Sequence, residues 1–238
     1  MHSPVLDRAE TYLNTQWRSS SPPWSAKARN SHAFVTVSRQ SGSGGTSFAR
    51  ALARLLNGEA PDGVMWTVFD GNLTNHMLEA NHLSPRLARF LPEDKVSEVN
   101  ASIGELVGLH PSLWDLVQKM NSTMRDLAEH NHAILVGRGS NFATRLMEGG
   151  VHVRLIAPAE NRARYLALLY DMSEQEALIF NAKRDAASRR YVRANFNADI
   201  DDPRSYDLVF NTGEIPIADA AAITASLLKA RHPMPLPR

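Results

Sequence analysis

Val37-Ser38-Arg39-Gln40-Ser41-Gly42-Ser43-Gly44-Gly45-Thr46-Ser47 begins at the end of an apolar run and leads into a segment of helical period. Residues 33–38 read as a strand, and Phe48, Ala49, Leu52, Leu55 and Leu56 recur as one helix face that stops at Asn57-Gly58. Glycines in that position let successive backbone N–H groups face inward, and the helix N-terminus adds its positive dipole end. Such a cradle suits a polyphosphate, so Ser41, Gly42, Ser43, Gly44, Gly45, Thr46 and Ser47 are the expected ATP contacts. A plain glycine-rich turn is the competing interpretation. The match to G-x-x-x-x-G-K-[ST] is incomplete: with Gly44 as the second glycine, Arg39 stands at the first glycine and Gly45 at the lysine. The cation that usually bridges the terminal phosphates is missing from its place, and Arg39 is the nearest residue able to supply it. Thr46 and Ser47 offer hydroxyls to Mg²⁺, and Thr46 is assigned to the metal.

Further runs rich in Val, Ile, Leu and Phe occupy residues 64–69, 132–137, 151–156 and 206–210, and read as buried parallel strands. Helical segments alternate with them. Pro111-Ser112-Leu113-Trp114-Asp115 starts a helix through Val117, Met120, Met124 and Leu127. Ser173 and Glu176 form a capping pattern before a helix reaching Arg193, and Pro216 opens a last helix ending near Arg231. The class is therefore α/β with a mostly parallel, five-stranded sheet. Residues 71–131 are too long for a simple crossover and contain no convincing strand, so a helical insert is expected there. Residues 5–18 read as an amphipathic helix on Leu6, Ala9, Tyr12 and Leu13, joined through Ser19 to Pro23 to a main domain at 33–238.

Composition limits the chemistry. Zero cysteines exclude disulfides, thiolate metal sites and a catalytic thiol. The 26 basic and 25 acidic side chains nearly balance, which argues against a general nucleic-acid or membrane-surface role. No apolar stretch approaches the roughly 20 residues of a membrane helix, so a cytoplasmic location is expected. The histidines are scattered, and the acidic residues show no hydrolase-like pair.

Local basic character appears once, where Lys183, Arg184, Arg189, Arg190 and Arg193 gather around the single Asp185. Guanidinium groups closing over phosphates both position them and stabilise charge. Arg184 and Arg189 are taken as catalytic, and Arg193, which shares a helix face with Arg189, as acceptor-binding. A solvated basic face is the other interpretation. Arg138 and Asp70 each follow a strand end, where α/β folds place ligand contacts, and both are assigned to the acceptor. Asp70 could equally serve as a helix N-cap.

Ser38-Arg39 followed by Gly42-Ser43-Gly44-Gly45 resembles the start of the cytidylate kinase-like family, and the likeness runs from Phe34 to Thr212. Phe69-Asp70, Val136-Gly137-Arg138 and the stretch from Asp202-Pro203-Arg204 to Phe210-Asn211-Thr212 carry it further. In that group the loop lysine is commonly absent. The resemblance implies a P-loop NTPase-type three-layer fold with a mobile, Arg-rich lid, placed at 181–201, and a helical acceptor-binding domain, placed at 71–131. It also implies ATP and Mg²⁺, with a nucleoside monophosphate such as CMP as acceptor. True cytidylate kinases carry acidic residues on both sides of the Gly-Arg pair after the third strand, whereas Val136 and Gly139 flank Gly137-Arg138. A nucleotide-binding regulatory module with weak turnover, meeting a protein partner or a second copy through residues 5–18, is the rival from another class.

Overall fold

Phe34, Val35 and Val37 are completely buried because their strand, β1 (Phe34–Arg39), runs through the middle of a sheet and has neighbours on both sides. The computed structural model describes residues 33–58, 65–70, 113–129, 132–137 and 139–232. The expected N-terminal helix and linker (1–32), most of the expected insert (71–112) and Arg138 lie outside the described residues.

The remaining strands are β2 (Thr67–Phe69), β3 (Ala133–Val136), β4 (Gly150–Ile156) and β5 (Leu208–Asn211), all parallel, in the order β2-β3-β1-β4-β5. Apolar residues on both faces of the central strands are what a sheet covered by helices on each side requires. Phe34 aligns with Ala133 of β3 and with Gly150 of β4, so the sheet switches direction at β1. Crevices at the carboxyl ends of strands beside such a switch are where open α/β sheets bind ligands.

Two helices cover one face: α1 (Gly45–Gly58), directly after β1, and the last helix, which in chain order is α6 (Ile217–Arg231). Phe48, Leu52 and Leu56 of α1 and Ala220, Ala221 and Leu228 of α6 pack on Val35, Val37, Val153 and Phe210. Burying each large side chain there stabilises the fold by about 1.5–3 kcal/mol. Between them in sequence come α2 (Leu113–Glu129), the single turn α3 (Ser140–Ala143), α4 (Ala159–Tyr170) and α5 (Glu174–Phe196). Val117 of α2, Phe142 of α3 and Tyr191 and Val192 of α5 form a second core with Ile200. Helices α4 and α5 make a hairpin closed by Ala163, Leu166 and Ala177. The expected capping box is present: Ser173 Oγ accepts the Glu176 N–H at 3.2 Å, and Glu176 Oε2 accepts the Ser173 N–H at 2.9 Å.

The three-layer α/β architecture agrees with the sequence expectation, with local differences. The run expected at 64–69 pairs only over Thr67–Phe69, because Trp66 is held instead by Asn57 at the end of α1, its N–H donating to Asn57 Oδ1 at 2.6 Å. The strand expected at 206–210 begins at Leu208, since Tyr206 turns its hydroxyl to Ile200 O at 2.7 Å. Among the described residues no helix is long and apolar enough to cross a membrane.

Candidate active site

Beyond β1 the chain is pinned to the end of β4: Gln40 N–H donates to Leu155 O at 3.0 Å, and Gln40 Oε1 accepts the Ala157 N–H at 3.0 Å. Gly42 (φ 80°) and Gly44 (φ 84°) then take left-handed backbone, which a side chain would strain. Ser43 is buried and donates from Oγ to Gln40 O at 2.8 Å, while its own carbonyl accepts Thr212 Oγ1 at 3.0 Å. The first bond of α1 runs from Phe48 N–H to Gly44 O at 2.8 Å. Helix geometry leaves the N–H groups of Gly45, Thr46 and Ser47 without an acceptor inside the helix, a positive pole at the end of the loop.

The backbone of Ser41 is gripped on both sides of its Cα. Its N–H donates to Asp185 Oδ1 at 2.7 Å, and its carbonyl accepts Arg162 Nη1 at 2.9 Å. Arg162 also bonds Asp185 Oδ2 at 2.7 Å and Ala157 O at 3.0 Å, and each side chain of the pair is only 10% exposed. A lone carboxylate would repel phosphate here, so the buried arginine both neutralises Asp185 and keeps it in place. The hairpin of α4 and α5 thereby fixes the loop it faces.

A cavity of about 410 Å³ opens between loop and hairpin, a size typical of small-molecule sites. Gly44, Gly45 and Thr46 line it from the loop, Arg39 and Asp70 from the strand ends, and Tyr165, Phe180 and Arg184 from the hairpin. The Arg184 guanidinium lies over the Phe180 ring, 5.4 Å from its centroid. Thr46 faces the cavity, whereas Ser47 is exposed with Oγ 3.3 Å from the Tyr165 hydroxyl. Thr46 and Asp70 are hard oxygen donors on one cavity, the chemistry that Mg²⁺ takes together with phosphate oxygens and water. Among the described residues no cluster of three or more His, Cys, Asp or Glu could hold a metal by itself.

Arg189 and Arg193 are elsewhere. Arg189 does not line the cavity; it is half exposed and donates Nε–H to Asp201 at 2.6 Å. That bond raises the Arg189 pKa. Burial would raise the Asp201 carboxyl, but Arg189 and Arg154 together hold it below its usual range. Arg154, almost fully buried on β4, bonds Asp201 at 2.5 Å and Ser38 Oγ at 2.8 Å, with its guanidinium 5.6 Å from the Tyr206 ring centroid. Arg193 is exposed in the last turn of α5.

The family model described as the cytidylate kinase-like family matches residues 34–214. The chain belongs to that family. A cytidylate kinase from Pyrobaculum aerophilum is 28% identical over 190 residues, covering 80% of this chain and 89% of that protein. Another, from Methanothrix thermoacetophila, is 25% identical over 197 residues, covering 83% and 98%. The solved structure of an uncharacterized protein from Eubacterium ventriosum shares the fold, with a TM-score of 0.63 at 17% identity over 84% of this chain and 99% of that one.

For this cytidylate kinase-like chain, sequence reading overlooked Arg162, Asp185, Arg154 and Asp201 as site-building residues. Two signals were available. Asp185 is the lone acid in a basic stretch, and Arg154 is an arginine inside a strand that is mostly apolar.

Proposed function

We propose that the chain is an ATP- and Mg²⁺-dependent phosphotransferase that moves the γ-phosphoryl group to a nucleoside monophosphate, with CMP as the first acceptor to test. One observation carries this reading: the glycine loop, the free helix pole of α1 and the cations Arg39 and Arg184 converge on one cavity beside the sheet's switch point. Membership of the cytidylate kinase-like family and the two relatives named above support the choice of acceptor.

In this reading the residues from Ser41 to Ser47 cradle the donor phosphates, Thr46 holds the metal, and Asp70 and Arg138 serve the acceptor. Arg39 and Arg184, which line the cavity, answer the negative charge of the transferring group, and Arg189 braces α5 through Asp201. Mg²⁺ supplies neutralisation of charge on the phosphate oxygens. A phosphate oxygen of the acceptor attacks the γ-phosphorus, the bond to the β–γ bridging oxygen breaks, and ADP leaves. Phosphoryl transfer asks for positioning and charge stabilisation more than for covalent chemistry, which a preorganised loop provides.

A coupled ADP-release assay over a panel of nucleoside monophosphates and other small phosphate acceptors tests the proposal. Turnover with CMP well above the ATP-only background supports it. Tight ATP binding with no acceptor-dependent turnover would favour the regulatory module instead.

A further inference from the structure

Positions 39 and 45 carry the two departures from G-x-x-x-x-G-K-[ST], an arginine where the first glycine belongs and a glycine where the lysine belongs. The two departures meet in space. A Cβ built on Gly45 would lie 2.9 Å from Cγ of Arg39 and 3.3 Å from its Cβ and Cδ. Those atoms belong to the root of the side chain, which cannot swing aside as its tip could. Gly45 is the buried first residue of α1, where alanine would be the better helix former. Its missing side chain is therefore space that Arg39 fills. Further along, a Cβ on Gly137 would lie 2.6 Å from Arg39 Nη1 and 2.8 Å from Cζ. The arginine crosses the point from which a lysine at 45 would start and carries its charge to the turn after β3.

We propose that residues 39 and 45 have exchanged the motif's cation and glycine, so that the Arg39 guanidinium contacts the terminal phosphate of a bound nucleoside triphosphate. This inference rests on the phosphate-loop reading above. Arg39 lines the same cavity as Thr46 and Asp70, and its guanidinium lies against Gly137 at the end of β3. A guanidinium keeps its charge at every working pH and can grip two phosphate oxygens at once, which an ammonium cannot. With its stem against Gly45 and its guanidinium against Gly137, the side chain is positioned across the loop. A lysine returned to position 45 would collide with that stem rather than repair the motif.

Calorimetric titration of the full chain with ATP and with ADP, both with Mg²⁺, tests the exchange on wild type, Arg39→Ala, Arg39→Lys, Gly45→Ala, Gly45→Lys and the double variant Arg39→Ala/Gly45→Lys. Nucleotide-free melting curves establish which variants fold. Arg39→Ala is expected to weaken ATP binding by about tenfold or more and ADP binding by much less, since charge-assisted phosphate contacts are the strong ones. Gly45→Ala and Gly45→Lys should each lower the ATP preference by pushing the Arg39 stem aside. In the double variant, lysine at 45 should restore most of the preference that Arg39→Ala loses. A helix glycine with a purely structural role would shift melting without changing the ratio of ATP to ADP affinity. A folded Arg39→Ala with the wild-type ratio, or a folded double variant without rescue, overturns the exchange alone. Should the double variant not fold, Arg39→Lys decides: more ATP preference than Arg39→Ala supports the proposal, and equal losses overturn it. Wild type that binds no ATP overturns the phosphate-loop reading, and the exchange with it.

Discussion

Arg189 donates Nε–H to Asp201 at 2.6 Å, tying the basic half of α5 to the loop that precedes β5. Arg184, five residues earlier on the same helix, faces the cavity instead. The two arginines should therefore respond differently to truncation. Arg184→Ala is expected to lower kcat about a hundredfold, the usual loss for a group that answers developing charge. Arg189→Ala, which removes a half-exposed ion pair, should cost less than about 1 kcal/mol of stability and leave turnover close to wild type. Steady-state kinetics of both variants separate the roles; a kcat loss in Arg189→Ala as deep as in Arg184→Ala would mean that α5 rearranges during turnover.

Removing the carboxylate at 185 leaves Arg162 buried and uncompensated and deprives the Ser41 N–H of its acceptor. Asp185→Ala is expected to destabilise by about 3–5 kcal/mol, which for a chain of this size lowers the melting temperature by roughly 10 °C. ATP should also protect this variant less against thermal unfolding. A melting curve superimposable on wild type would contradict the clamp.

Gly44 combines φ 84° with a packing limit, since a Cβ there would approach Ile217 Cδ1 at 2.9 Å. The isoleucine tip can yield, so backbone strain is the larger obstacle, and a β-branched residue meets it in full. Gly44→Val should keep its far-UV circular dichroism and lose ATP binding. Wild-type affinity in the folded variant refutes the phosphate loop.

His152 on β4 places Nδ1 2.7 Å from Thr36 Oγ1 and its ring edge-on to Phe34. Burial lowers its pKa from the ordinary 6.5; the Asp207 carboxylate opposes this shift and Arg231 adds to it. As pH falls through about 6.5 the unfolded chain takes up this proton while the folded ring stays neutral, so stability is lost in that direction. His132 shifts the same way, through burial and then through His232. The melting temperature should be lower at about pH 5.5 than at about pH 7.5, and His152→Gln should flatten the slope. A wild-type slope of zero would show that neither ring is desolvated as described.

The strand, glycine turn and helix around Ser41 to Ser47 were legible because their determinants are contiguous in the chain, so local rules suffice. The same holds for the Ser173–Glu176 cap. Helix α4 escaped because its periodicity is weak, with Leu168 88% exposed and Leu169 and Tyr170 more than half exposed. The grip on Ser41 was invisible for another reason: its partners come from a loop and two helices, and Ser41 and Asp185 stand 144 positions apart. Arg189 looked like a phosphate ligand because residue type and spacing report its helix face. Neither reports Asp201, which reaches that face from beyond the end of the helix.

The central position of β1 also governs how the chain assembles. Its ladder partners are residues 133–136 and 150–156, and the side-chain bond between Thr36 and His152 closes a separation of 116 residues. During synthesis the apolar segment from Phe34 to Val37 emerges well before either partner, meeting β3 only once the chain has grown past Val136 and β4 only past Ile156. Loop-closure entropy of that size slows folding, and an unpaired apolar strand is a template for association with other chains. Refolding from denaturant should therefore be slow and sensitive to protein concentration, with the loop between β1 and α1 acquiring its shape only after β4 has docked.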